Sequence, residues 1–144
     1  MVVEIGPLGT RMNSIDPVFG VITLGQASGE HTWQFISAGR LPVWRRQTLT
    51  SPGVTVLPDP RLVPRSTNTA TLTAVAGGQL SDNLGTVRVS FPPGSVPRDD
   101  PATLTPLTAQ TLPAFLPLGW SPLQAFNLDL VNEPTQPLAV SLTL

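Results

Sequence analysis

GGQLS at residues 77–81, VRVSFPPGSVPRDDPATLT at 87–105 and LPAFLPLGWSPLQAFNLDL at 112–130 decide how this chain is read. In the second stretch Val87, Val89 and Phe91 alternate with Arg88 and Ser90, the period of two of a half-buried strand. Pro92-Pro93-Gly94 follows with two fixed φ angles and then a residue free to take positive φ, so a turn is written into the covalent chain. The third stretch closes on Trp120, between Gly119 and Ser121-Pro122, as a loop expected to plug one end of a sandwich. Pro113, Pro117 and Pro122 stiffen that connection. All these residues shape backbone, and none carries the chemistry of turnover.

The rest of the chain follows the same pattern. Among 144 residues there are 17 prolines and 12 glycines, and no long window repeats an apolar residue every three or four positions. Proline removes a helix donor and clashes with the preceding turn, so the expected class is all-β, with little or no helix. Hydrophobic residues make up 40% and the net charge is −1, opposite to the low-hydrophobicity, high-charge signature of disorder. Charged residues are only 12% and mean hydropathy is +0.15. A small domain so poor in charge exposes apolar surface, which implies contact with neighbours. All eight positive charges are Arg, and beyond Arg45-Arg46 no basic cluster offers nucleic acid a footprint.

With no cysteine, disulfides and thiolate chemistry are excluded. No stretch reaches the ~18 apolar residues of a membrane span. MVVEIGPLGTRM lacks the basic start and apolar core of a signal peptide. The expectation is therefore a cytoplasmic chain or a piece of a longer secreted precursor.

Before residue 64 the strand signals are VFGVITL at 18–24, EHTWQFIS at 30–37 with His31, Trp33 and Phe35 on one face, PVWRRQTLT at 42–50, and the segments 54–57 and 61–63. Turns are expected at 27–29, 38–40 and 51–53. In residues 1–17 no opening strand is recognised. The polar stretch Pro64 to Asn68 divides the chain into two small antiparallel sandwiches in tandem, residues 1–65 and 66–144. In the second, strands are expected from Thr69, at 87–91, near Leu104 and Leu107, at 123–131 and at 138–144. The last alternates Leu138, Val140, Leu142 and Leu144 with small polar residues, and a terminal strand of this kind makes an edge able to accept a partner.

Both halves resemble known modules. Residues 29–63, with GEHTWQFISAGR and VTVL, resemble the C-terminal half of the carboxypeptidase regulatory-like (transthyretin-like) β-sandwich, with Arg40-Leu41 where that family carries an aromatic after the turn glycine. Residues 77–144 resemble the β-sandwich module of netrin receptors and ankyrins as it occurs in large bacterial surface proteins. Gly77-Gly78-Gln79-Leu80 and Phe91-Pro92-Pro93-Gly94-Ser95-Val96 carry that resemblance, together with Leu116-Pro117-Leu118-Gly119-Trp120-Ser121-Pro122. Some members self-cleave at a His-Phe-Ser motif, which this chain lacks, so self-cleavage is not implied.

His31 is the only imidazole. A triad would have to run through it with Asp59 or Asp16 and Ser37, whereas a strand histidine beside Trp33 packs into a face. Asp99-Asp100, even with Asp82 near, falls short of the six to eight oxygens of calcium and reads as a solvated turn, so no metal and no cofactor are expected. Trp44 with Trp33 is the candidate glycan platform; indoles otherwise fill sandwich cores.

The expected function is a non-enzymatic structural or adhesive module of a bacterial extracellular or cell-surface assembly. Its partners would be copies of itself or neighbouring domains, and its self-assembly edge Leu138, Val140, Leu142 and Leu144. The alternatives are a virion or capsid decoration protein and a carbohydrate-binding module.

Overall fold

The computed structural model describes residues 2–6, 9–13, 28–50, 56–57 and 59–143, with backbone pairing alone for 3–6 and 9–13. The protein is all-β: among the described residues ten strands form three small antiparallel sheets, and there is no helix. Contacts divide the chain into two compact units, Met1–Pro64 with Thr111–Gly119, and Arg65–Gln110 with Trp120–Leu144.

The first unit is a four-stranded sheet. β1 (Val2–Gly6) pairs with β2 (Gly9–Asn13) and with β3 (Gly29–Phe35), which pairs in turn with β4 (Val43–Leu49), giving the order β2-β1-β3-β4. β1 and β2 correct the expectation that residues 1–17 hold no strand. Their signal was hidden because Glu4 and Arg11 interrupt the apolar alternation within five-residue strands. In β3 the period of two puts His31, Trp33 and Phe35 inside. Opposite them in register stand Gln47, Arg45 and Val43, so Val43 and Arg45 share that inner face. Val2, Trp33 and Phe35 form its apolar cluster, with Leu49, Leu57 and Leu62 packed against it. Residues 61–63 are not a strand; they lie beside the turn at 38–40, where Leu41 N donates to Val63 O at 2.8 Å and Arg40 bridges to Pro64. The expected strand at 18–24 and turn at 51–53 lie outside the described residues. So does most of the strand expected at 54–57, where Val56 and Leu57 are described and are not in a strand.

The second unit is a sandwich of two three-stranded sheets. β5 (Thr69–Leu72), β8 (Asp100–Leu107) and β9 (Ala125–Asp129) form one in the order β5-β8-β9. β6 (Gly78–Ser81), β7 (Val87–Phe91) and β10 (Ala139–Leu142) form the other in the order β10-β7-β6. Leu72, Leu80, Val87, Val89, Phe91, Val96, Ala102 and Leu104 are buried between them, each large side chain contributing about 1.5–3 kcal/mol by leaving water.

The chain passes from one sheet to the other through a tight turn in which Thr73 and Gly77 exchange hydrogen bonds of 3.0 and 2.7 Å. Gly77 has φ +72°, and a Cβ there would lie 2.0 Å from the Phe91 carbonyl oxygen. Gly78 is in register with Phe91. The two motifs read separately in the sequence, Gly-Gly at 77–78 and Phe-Pro-Pro-Gly at 91–94, are therefore one contact that only glycine permits.

Candidate functional site

The sequence pointed to the last strand. β10 is at the edge of its sheet, and its register on β7 is Ala139↔Ser90, Val140↔Val89, Ser141↔Arg88 and Leu142↔Val87. Thr143 N donates to Thr86 O at 2.9 Å, and Val87 O accepts from Asp82 N on the other side of β7. Hydrogen-bonded and non-hydrogen-bonded pairs alternate along an antiparallel ladder. Val140 and Leu142 thus occupy the non-bonded pairs, and their N–H and C=O groups point away from β7 to the free edge. Their side chains share a face with Val87 and Val89, both buried, yet remain 49% and 48% exposed. The site is a strand edge with four outward main-chain groups beside an uncovered apolar rim.

What delivers β10 to this position is a set of carboxylate and turn contacts. Asp100, expected to sit in a solvated turn, is instead fully buried. Its Oδ2 accepts from Asn132 N at 2.7 Å and Asn132 Nδ2 at 3.0 Å, and its Oδ1 from Val131 N at 3.3 Å. Burial pushes the Asp100 pKa up, but the bonds from Asn132 and Val131 outweigh it and hold the group below its ordinary value. Asp99 stays exposed and accepts from Ala74 N at 2.9 Å. Further along the same connection, Thr135 N donates to Ser95 O and Thr135 Oγ1 to Gly94 O. Leu138 packs against the core. It is therefore an anchor ahead of β10, which corrects its placement in the exposed edge; Leu144 lies outside the described residues.

Asp82 shapes the hairpin between β6 and β7. Its Oδ2 accepts from the Thr86 hydroxyl at 2.6 Å and its Oδ1 from Val87 N at 3.0 Å. Those bonds, Thr86 first, hold its pKa below the usual carboxylate range.

The two tryptophans do not form a shared platform. Trp33 is 2% exposed, stacked on His31 with centroids 5.5 Å apart. Since Trp33 pairs with Arg45 and Trp44 with Gln34, the two indoles lie on opposite faces of the sheet, because side chains alternate along a strand. Trp44 is half-buried. The Trp44 main-chain N–H donates to Pro113 O at 2.7 Å, so the edge of β4 is covered at that residue.

Beneath that cover lies Arg45, a buried guanidinium. Nη1 donates to Trp44 O at 2.8 Å and Pro113 O at 3.4 Å, Nη2 donates to Asp59 O at 3.2 Å, and the group stands 4.4 Å over the Phe115 ring. Burial lowers its pKa against the opposing pull of Asp59, yet an arginine stays charged at any working pH. His31 is buried on β3, while Ser37 is exposed beyond the strand's far end. From His31 to Phe35 alone is about 13 Å of strand, so nucleophile and base are not brought together. Among the described residues no group of three or more His, Cys, Asp or Glu is placed to hold a metal.

Sequence reasoning missed two exposed apolar stretches. In the first unit Phe115, Leu116 and Leu118 are exposed, and in the second Trp120 and Leu123; Trp120, at 74%, does not plug a sandwich. The available signal was the absence of any charged residue from 101 to 128.

No protein-family model, curated protein or solved structure matches the chain.

Proposed function

We propose that this chain is a non-catalytic structural or adhesive module of a bacterial extracellular or cell-surface assembly, and that it joins its neighbours by strand addition at β10. The observation that carries this reading is the edge itself: outward N–H and C=O groups at Val140 and Leu142, next to half-exposed apolar side chains. Main-chain bonds give an added strand its affinity, and the apolar rim selects its side chains. Natural edges are blunted by charge, inward-pointing lysine or proline within the strand. Ala139–Leu142 carries none of these. Proline-locked connections suit a part that must hold its shape, and the likeness of residues 77–144 to modules of large bacterial surface proteins supports the same setting.

A capped Thr-Val-Thr-Val-Thr peptide serves as a neutral strand probe. In amide NMR spectra it is expected to shift Val140 and Leu142 ahead of all other residues, and Val140→Pro is expected to remove the response. Unmoved Val140 and Leu142 amides at millimolar peptide would overturn the proposal.

A further inference from the structure

We infer that the strand added at β10 is the β10 of a second copy, antiparallel, about a two-fold axis at Ser141. This rests on the reading of β10 as an accepting edge and goes further by naming the occupant and the register. Within Ala139–Leu142 it is Val140 and Leu142 that turn their main-chain groups outward. When Val140 is set opposite Leu142 of the second copy, the symmetry sets Leu142 opposite Val140 of that copy. All the outward groups of both strands then lie in hydrogen-bonded pairs, giving four main-chain bonds. Within Ala139–Leu142, setting Val140 opposite its own equivalent brings one such pair together, and the same holds for Leu142. The self-paired register centred on Ser141 is therefore the one that satisfies the edge.

The side chains agree with it. Val140 meets Leu142 of the second copy on the core side of the sheet, where each is about half exposed, making two apolar cross-strand pairs. On the other side Ser141 meets its own equivalent in a non-bonded pair, with Cα atoms about 4.5 Å apart. Identical strands can be juxtaposed only if they do not repel, and residues 134–143 carry no charge. The nearest charge in register is Arg88, opposite Ser141. The two Arg88 positions would stand three strand spacings apart, about 14 Å, which is beyond the ~8 Å screening length of physiological salt. An isologous contact of this kind closes on itself, so the product is a dimer with a continuous sheet β6-β7-β10-β10-β7-β6. Four bonds and two apolar pairs make a small interface, so the dimer is reversible and concentration-dependent.

The chain has no cysteine, so Ser141→Cys introduces a single thiol at the axis. Under a mild disulfide oxidant it is expected to become largely covalent dimer. Ala139→Cys is the control: residue 139 faces residue 143 of the second copy, leaving the two thiols about 13 Å apart along the strands, outside disulfide reach. Its cross-linking should be at least tenfold slower. Val140→Pro removes an outward N–H and leaves the bonds to β7 in place. In sedimentation velocity it should stay monomeric where the wild type dimerises, with an unchanged far-UV spectrum; Val140→Lys gives the same test should proline disturb the fold. Equal cross-linking of the two cysteine variants, or a wild type that stays monomeric at millimolar concentration, overturns the inference. If the Thr-Val peptide still shifts the Val140 and Leu142 amides, the second copy is the wrong occupant and the edge reading stands. If those amides do not respond either, both fall.

Discussion

The two units satisfy the loose ends of their backbones with charges of opposite sign. In the second unit carboxylates serve N–H groups: Asp82 those of its own hairpin, Asp100 those at Val131 and Asn132. In the first unit a guanidinium serves C=O groups, with Arg45 reaching the carbonyls of Trp44, Asp59 and Pro113. The second unit also has eight buried apolar residues in one cluster, while the cluster described in the first has three. In the first unit a buried fork of donors ties three stretches of chain together. It does so at the cost of a desolvated charge, and among the described residues neither Arg45 Nε nor Trp33 Nε1 meets an acceptor.

The sharpest test of that contrast uses two glycines. Gly77 and Gly39 share a left-handed φ, +72° and +69°, but a Cβ at Gly77 would collide with the Phe91 and Pro92 backbone, whereas nothing lies within 4 Å at Gly39. Gly77→Ala is expected to destabilise the second unit by more than about 3 kcal/mol. Gly39→Ala should cost the first unit about 1 kcal/mol, the strain of the backbone alone. Equal losses in chemical denaturation would break the comparison.

Arg45→Leu is expected to weaken the first unit by about 2–3 kcal/mol, since the Trp44 and Asp59 carbonyls lose the guanidinium donor and the Pro113 carbonyl keeps only the Trp44 N–H. Trp33 and Trp44 belong to this unit and Trp120 is already exposed. Tryptophan emission should therefore report the earlier transition, and far-UV dichroism should keep a later one from the second unit. Coincident shifts of both signals would show that the units do not melt separately.

The carboxylates make an acid prediction. Asp82 and Asp100 have folded pKa values below their ordinary ones. Their contribution is thus fully present above the unfolded value of about 3.9 and is lost as pH falls from there through the folded values. The second unit's thermal midpoint should drop below pH 4, and Asp100→Asn should flatten that dependence by removing one titrating group. A midpoint that rises on acidification would refute the assignment. The smallest effect is expected at Glu30→Gln. Its ion pair with Arg46, at 2.5 Å, joins side chains 54% and 69% exposed, and less than about 0.5 kcal/mol should be lost.

Much of the fold was legible because period two survives in β3 and β7, where His31, Trp33 and Phe35 and then Val87, Val89 and Phe91 are buried at every second position. The longest strand, β8, was legible only as a hint near Leu104, because Pro101 and Pro106 fall inside it. Proline in a central strand argues against a strand at all. The structure shows how both are accommodated: β8 pairs with β5 through residues 100–103 and with β9 through 103–107. Each half of β8 is locally an edge, and each proline has one side without a ladder. Of the candidate site, the terminal alternation marked Val140 and Leu142 in the sequence. Which way their main-chain groups point depends on register against β7, and no local pattern encodes that. Trp33 and Trp44 misled because adjacent strands can place two indoles on opposite faces of one sheet.

Thr111–Gly119 belongs with the first unit although the sequence on both sides of it belongs to the second. A single recombination junction near residue 65 would therefore transfer β1 to β4 without the stretch carrying Pro113 and Phe115, leaving Arg45 its charge without the Pro113 carbonyl and the Phe115 ring. The two halves are interleaved in the gene, and they should be inherited, shuffled and duplicated as one cassette.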